Sequence, residues 1–186
     1  AVDARLGQHK KSHQILMRRA QVAAKQKNWS AAIELATELL DFDPNWKEIH
    51  EAHYVLGRSY AGLGQFTKSR TAFQNVLDSE PATGTETAAM AQWMIGESHF
   101  HQDAYEEAID AYQRTEILHA YPQWQAAALL QIGKCFELLK QDNHAIESYQ
   151  RILQDHNKTM FTAEANERIN ELQNRTSAEI KPTVLK

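Results

Sequence analysis

The sequence predicts an all-α protein, an α-solenoid of about four helix hairpins followed by a C-terminal capping helix. Three observations favour this fold class. Apolar residues recur at steps of three and four rather than in alternation, which is the helical pattern. Good helix formers (Ala, Leu, Glu, Gln, Lys and Arg) dominate the chain. Small residues also repeat at a long and regular interval, which indicates hairpins stacked on one another.

The internal repeat appears in two sets of small residues that recur at the same intervals. Glycines recur at intervals of 39 and 37 residues, at Gly57, Gly96 and Gly133. Small residues at intervals of 37, 39 and 37 accompany them, at Ala32, Ser69, Ala108 and Ala145, and four residues after these come Ala36, Phe73, Tyr112 and Tyr149. Glycine inside a helix costs about 0.5–1 kcal/mol relative to alanine, so three equivalent glycines indicate helices in close contact.

The elements follow from this register. Predicted repeats span about 13–45, 50–81, 89–121 and 126–157, a cap helix spans 159–174, and all of these form a single array over 1–174. In the second repeat a helix from His50 to Leu63 turns at Gly64, and Pro81 ends the helix that follows. Thr83 or Thr85 is the expected N-cap of the next helix. The tail, 175–186, is expected to be flexible or to lie as a strand in a groove.

Composition limits the function classes. The formal net charge is −4, but residues 1–30 hold seven basic groups and one acid. This basic start favours either a simple solvated helix face or a surface for an acidic partner or an anionic membrane. No basic stripe continues further, so nucleic-acid binding is not expected. No stretch approaches the roughly eighteen apolar residues of a membrane-spanning helix. Because the chain begins Ala1-Val2 without Met, an excised domain or mature product is expected.

The sequence predicts neither an enzyme nor a metal or cofactor site. Phosphate-binding Gly-rich loops, Cys-x-x-Cys pairs and Gly-x-Ser-x-Gly elbows are missing. His50 and His53 are three apart rather than four, so they do not match the zinc-protease motif. His9 and His13 are four apart, and a solvent-exposed or packing role is expected for them. The single Cys135 is expected to be a small buried residue.

Three segments carry a family resemblance. His53-x-x-Leu56-Gly57-x-x-Tyr60 with Ser69-x-x-x-Phe73 and Pro81 resembles the tetratricopeptide repeat (TPR) pattern. The pattern returns in Gln92-x-x-Ile95-Gly96-x-x-His99 and in Leu129-x-x-Ile132-Gly133-x-x-Phe136. The first repeat departs from it, with Arg19-Ala20 in place of Leu-Gly, as terminal repeats often do. The resemblance covers about residues 9–157 and implies a right-handed solenoid.

The repeat length carries a second resemblance. Intervals of 37 and 39 residues exceed the usual length of about 34. Such long repeats, with Trp93-Met-Ile-Gly-Glu97 and the Ala120-Tyr121-Pro122 joint, are similar to those of bacterial cell-envelope TPR proteins of the Tol-Pal coordinator and outer-membrane assembly lipoprotein types. This resemblance implies a bacterial protein and favours the periplasm or cell envelope over the cytoplasm.

The TPR resemblance implies a non-catalytic scaffold or adaptor whose concave groove binds a peptide or helix of a partner protein. The alternative is a self-associating module, a homodimer or larger homo-oligomer formed through the terminal helices or the tail. The residues implied for the groove are Tyr54, Arg58, Met90, Trp93, Glu97, Phe100, His101, Lys134 and Glu137, together with Met17, Gln21 and Leu130. Tyr54 and Trp93 have burial against the neighbouring repeat as the competing interpretation.

One specific role is not expected. TPR domains that bind chaperones grip a C-terminal carboxylate with Lys and Asn side chains. The corresponding positions here are Met17, Gln21, Val55, Met90 and Met94. Without cationic groups, charge-assisted capture of a terminal carboxylate is weak, so a co-chaperone role is not predicted.

Overall fold

A computed structural model describes residues 12–180, with side chains described as far as Arg175. Within this range the chain forms nine α-helices, one short 3-10 turn at Glu80–Ala82 and no β-strand. The helices are α1 (His13–Lys25), α2 (Trp29–Phe42), α3 (Ile49–Gly62), α4 (Phe66–Leu77), α5 (Glu86–Phe100), α6 (Tyr105–Leu118), α7 (Pro122–Leu138), α8 (Asp142–Asp155) and α9 (Thr162–Ile180). The predicted all-α class is confirmed. The chain divides into two compact units, residues 1–102 and 103–186.

The turns between paired helices share one backbone geometry. Lys27, Gly64, Asp103 and Lys140 have φ of 59°, 70°, 58° and 58°, in the left-handed region. Their spacing is 37, 39 and 37 residues, the same as that of the small residues. After three of these residues the next N–H bonds back five positions, in Asn28 to Ala23, Gln65 to Tyr60 and Gln141 to Phe136. These bonds satisfy carbonyls that the helix end leaves without a partner.

Side-chain caps begin three of the helices. The side-chain oxygens of Ser12 and Asn28 accept bonds from backbone N–H groups at the starts of α1 and α2. Thr85 caps α5: its Oγ1 accepts from the Ala88 N–H at 3.2 Å and donates to the Ala82 carbonyl at 2.6 Å. The structure therefore selects Thr85 over Thr83 as the N-cap.

In the first unit, small residues let the helices approach. Ala20, Ala32 and Ala36 are fully buried in a core that runs from α1 to α4. A Cβ on Gly57 would lie 2.6 Å from the buried ring of Phe73, and one on Gly62 would lie 2.4 Å from the ring of Trp29. Glycine is required at these positions because aromatic rings of a neighbouring helix occupy the space of a side chain.

The second unit repeats this packing. A Cβ on Gly133 of α7 would lie 2.3 Å from the ring of Tyr149 on α8, which is fully buried. Arg151 of α8 pairs with Glu116 of α6 at 2.6 Å. Cys135 is fully buried, as predicted.

The C-terminal helix is longer than the sequence predicts. A cap helix over 159–174 and a tail from 175 were expected, whereas α9 begins at Thr162 and reaches Ile180. Residues 175–180 are therefore helical rather than tail. The expected tail beyond residue 180, like His9 and the first basic residues, lies outside the described residues. In the part of the chain that the structure describes, no helix is long and apolar enough to cross a membrane.

Candidate protein-binding site

The candidate site lies on the first unit, where the first helices of successive hairpins lie next to one another. Helix α1 contacts α3, and α3 contacts α5. The side chains that these helices direct to one side form what is here named the α1–α3–α5 face: Gln21, Lys25, Glu51, Tyr54, Arg58, Thr87 and Met90.

A cavity of about 420 Å³ lies between α1 and α3. The buried Ala24 and Val55 form its apolar floor, and the exposed Lys25 and Arg58 stand at its rim. Gln21, Glu51 and Tyr54 complete the lining. The cavity therefore combines a small apolar surface with cationic groups at the edge.

Tyr54 joins this cavity to α5. Its ring is tilted against Phe73 with the centroids 5.7 Å apart, and its hydroxyl donates to the sulfur of Met90 at 3.5 Å. Burial raises the pKa of the Tyr54 hydroxyl above its usual range, although Arg58 opposes this rise. Tyr54 is half-buried, so it is both fixed in place and accessible on one side.

The charged groups of the face differ in how they are paired. The Thr87 hydroxyl donates to Glu51 Oε1 at 2.6 Å, and His50 Nε2 lies 3.6 Å from the same oxygen. Lys25 and Arg58 form no ion pair or hydrogen bond with any residue that the structure describes. The anion of the face is thus held by neighbours while its two cations face solvent.

A second cavity lies beside the C-terminal half of α5. Of the remaining predicted groove residues, Glu97 and His101 line this cavity. This cavity, of about 300 Å³, is lined by Ala61, Phe66, Met94, Glu97, Ser98 and His101. His101 stacks on Phe66 with the ring centroids 5.8 Å apart, and its Nε2 lies 4.0 Å from Glu97 Oε2. Trp93 and Phe100 are half-buried on the same helix. The side chains of Tyr54 and Trp93 are therefore neither fully buried against the neighbouring repeat nor fully exposed in a groove.

Lys134 and Glu137 belong to the second unit, and their charges are engaged there. Lys134 Nζ lies 2.8 Å from Glu164 of α9. Glu137 accepts a hydrogen bond from the Tyr149 hydroxyl at 2.6 Å and lies 3.6 Å from Arg168 of α9. The structure does not bring them into the cavity of the first unit.

Two of the residues implied for the groove are buried instead. Met17 is 6% exposed and Leu130 is 4% exposed, so the expectation that they line an open groove is wrong. Both lie on the apolar stripe of their helices, which packing removes from solvent. Sequence reasoning also missed Lys25, Glu51 and Thr87. Helical spacing could have found all three, since Lys25 lies four residues after Gln21, Glu51 lies three before Tyr54 and Thr87 lies three before Met90.

No catalytic or metal-binding arrangement accompanies the cavity. Across residues 12–175, no three His, Cys, Asp or Glu side chains lie close enough together to hold a metal ion. The cavity lining holds one carboxylate and no nucleophile–base pair.

Comparison with known families identifies the repeats. Two models described as tetratricopeptide repeat match residues 54–123 and 127–158, which together make up more than half of the chain. The chain is a tetratricopeptide repeat protein. This confirms the TPR resemblance, and an interaction scaffold is the general role of such repeats.

Solved structures give the same fold. MamA from Desulfovibrio magneticus RS-1, residues 41 to the end, matches with a TM-score of 0.65 and 17% identity over 81% of this chain and 78% of that one. The apo form of RapI matches with a TM-score of 0.75 and 14% identity over 89% of this chain and 49% of that one. TTC0263, a thermophilic TPR protein of Thermus thermophilus, matches with a TM-score of 0.62 and 13% identity over 92% and 86%. At these identities the likeness shows the all-α TPR solenoid fold alone. No curated protein matches the sequence.

Proposed function

We propose that the α1–α3–α5 face binds an extended peptide segment of a partner protein and that the chain acts as an adaptor. The observation that carries this proposal is the cavity of about 420 Å³ with an apolar floor, a half-buried tyrosine and two unpaired cations at its rim. Its volume falls in the range of about 300–1,000 Å³ that small binding sites occupy. Its floor accommodates one apolar side chain of the bound segment.

The residue types of the face support a binding role over a purely structural one. Tyrosine and arginine are the residues that most often dominate binding energy at protein interfaces. Tyr54 is held by Phe73 and Met90, so little side-chain entropy is lost when a partner covers it. Arg58 forms no ion pair or hydrogen bond with the described residues, so none has to be broken on binding. A bound segment therefore gains contacts at low reorganisation cost.

The test is affinity capture from the source organism with matched charge reversals. We expect at least one protein to be captured by both the wild-type chain and the Lys47→Glu variant. The Arg58→Glu variant should not capture it. Lys47 is the control because its side chain is 83% exposed and lies outside the face. The captured protein is then purified, and its affinity for the three chains is measured by calorimetry. Equal affinity for Arg58→Glu and wild type would contradict the proposal.

Self-association is the second candidate, and exposed apolar residues of the second unit favour it. Ile117, Leu118 and Met160 are 71%, 67% and 78% exposed, so they are available for contact with a second copy of the chain. Light scattering on the wild-type chain and on an Ile117→Ser/Leu118→Ser variant tests this candidate. A dimer that the double substitution abolishes supports it, and a monomer at every concentration of the wild-type chain excludes it.

We also propose a location in the periplasm or cell envelope of a bacterium. The support is the repeat spacing of 37, 39 and 37 residues, similar to that of cell-envelope TPR proteins. Fractionation of the source organism with antibodies to this chain tests the location, and recovery in the cytoplasmic fraction alone would contradict it.

A further inference from the structure

We infer that the segment bound by the α1–α3–α5 face carries an internal acidic side chain two residues from an apolar one. This inference rests on the proposed function and specifies the chemistry of the partner. The partner is a protein segment in which an Asp or Glu contacts Lys25 and Arg58 while the apolar residue two positions away enters the cavity.

The charge on the α1 side of the face is uniformly positive. Helix α1 contains no acidic residue. Arg18, Gln21 and Lys25 follow one another at steps of three and four, so they share one side of the helix. Arg18 and Lys25 are both exposed, and Arg58 of α3 adds a third cation near the cavity. This cluster attracts a carboxylate and repels a basic segment.

The carboxylates of the face are held toward α5 rather than paired with this cluster. Glu51 lines the same cavity, but its Oε1 accepts the hydroxyl of Thr87 and faces His50. The other acids of this side, Glu86 and Glu97, are on α5. The face is therefore basic along α1 and acidic along α5, and this difference orients the bound segment with its carboxylate toward α1.

The shape of the site favours an internal residue over a chain end. Lys25 and Arg58 are at the rim of an open cavity, and the apolar floor of Ala24 and Val55 lies beneath them. Successive side chains of an extended segment point in opposite directions, so residues two apart share one side, and a chain passing over the rim directs both a carboxylate and an apolar group toward the face. The face also continues past the cavity, from Tyr54 to Met90. A segment that passes through uses this additional surface, whereas a chain end stops short of it.

The experiment is selection from a displayed library of random peptides of about a dozen residues on the full chain. We expect enriched sequences to place Asp or Glu two residues from Leu, Ile, Val, Phe or Met. An enriched peptide, synthesised with both ends blocked, should lose about tenfold in affinity when its acid is changed to the amide. The Lys25→Gln/Arg58→Gln variant should show the same loss. Both losses should shrink between about 0.1 M and 1 M salt because screening shortens the reach of the charges.

Two matched variants locate the binding. Gln21→Trp fills the cavity while keeping the cations, and Lys47→Gln removes an exposed cation elsewhere. Both positions are accessible on the surface, so neither change disturbs the core, and circular dichroism checks that each variant is folded. Binding should be lost in Gln21→Trp and unchanged in Lys47→Gln.

The remaining outcomes separate the inference from the proposed function. One outcome is that Gln21→Trp abolishes the binding of the selected peptides while Lys25→Gln/Arg58→Gln leaves it unchanged. This outcome would support peptide binding at the face but overturn the inference that the bound segment is acidic. Binding that requires a free C-terminal carboxylate would also overturn the inference, since the source would then be a chain end. If neither variant changes the binding of any selected peptide, both the inference and the proposed function fail.

Discussion

The ring of Tyr149 lies directly over the backbone of Gly133, with its Cε1 2.3 Å from where a Cβ on that glycine would be. Phe73 has the same relationship to Gly57, at 2.6 Å. Tyr149 and Phe73 are fully buried, so neither ring has free space into which it can move. The two glycine–ring pairs fix how closely the paired helices of their repeats approach.

Replacing Gly133 with alanine should destabilise the protein despite the better helix propensity of alanine. Alanine ordinarily gains about 0.5–1 kcal/mol over glycine inside a helix. Here the added methyl group overlaps the Tyr149 ring. We expect a net loss of about 1–3 kcal/mol in the free energy of unfolding, which is typical of overpacking. Urea unfolding followed by circular dichroism measures this loss.

The Tyr149→Leu background provides the control for this prediction. There the ring is gone, so the cost of Gly133→Ala should become smaller than in the wild-type chain. An equal cost in both backgrounds would show that the ring is not the cause.

The left-handed turns predict opposite effects at two equivalent positions. Gly64 has φ of 70° with no atom within 4 Å of a Cβ, so Gly64→Ala should lose about 1 kcal/mol through backbone strain alone. Lys140 has φ of 58°, and Lys140→Gly should gain about 0.5–1 kcal/mol by removing the same strain. Thermal and urea unfolding of both variants test the prediction. Lys140→Ala is the matched control, because it deletes the side chain, keeps the Cβ and should give no such gain.

The hydrogen bond between Tyr149 and Glu137 predicts a pH effect in the alkaline range. Burial and the carboxylate of Glu137 raise the pKa of Tyr149 well above its usual range. In the unfolded chain the phenol ionises near pH 10, whereas in the folded chain it stays protonated. The contribution of Tyr149 to the free energy of unfolding should therefore be fully present below about pH 10. It should decrease as the pH rises above that value.

Tyr149→Phe tests this account. At neutral pH we expect a loss of about 1–2 kcal/mol, since Glu137 loses a donor while its side chain is only 13% exposed. Urea unfolding from about pH 8 to 11 should show a shallower decline for the variant than for the wild type. The decline should not vanish, because the pKa of Tyr54 is also raised. An identical slope in both proteins would contradict the prediction.

His53 predicts a loss of stability in mild acid. Burial lowers the pKa of His53, and the nearby His50 lowers it further. The unfolded chain then binds a proton near pH 6.5 that the folded chain does not, so stability falls as the pH decreases below about 6.5. Unfolding measured from about pH 7.5 to 5.5 should show this fall. It should be smaller in His53→Gln, which cannot titrate, but not absent, because burial also lowers the pKa of His119.

The hairpins and their glycines could be predicted from the sequence because they depend on local periodicity. The steps of three and four residues fix which side of a helix is apolar, and Gly57 and Gly133 stand at equivalent positions in their helices. The turns were less accessible. Gly64 is the one glycine among the four turn residues, Asp103 is of a type that tolerates the left-handed conformation, and Lys27 and Lys140 give no residue signal for it.

The candidate site was predicted only in part, since it depends on tertiary contacts. The TPR resemblance implied that Tyr54, Arg58 and Met90 line one groove. It could not show that α9 is positioned so that Glu164 and Arg168 take up the charges of Lys134 and Glu137. Nor could it show that Thr87 engages Glu51, which leaves Lys25 and Arg58 as the unpaired charges at the cavity.

The shared geometry of the turns makes them suitable positions at which to insert a further repeat. The turns at Lys27, Gly64 and Lys140 are closed by equivalent main-chain hydrogen bonds. The backbone therefore has the same local geometry after each turn, although the residue at the turn differs. A further module cut at these positions, 37 residues long like the interval between Lys27 and Gly64, can be inserted in register with its neighbours. The length of the array is thus adjustable in whole modules without redesigning any turn.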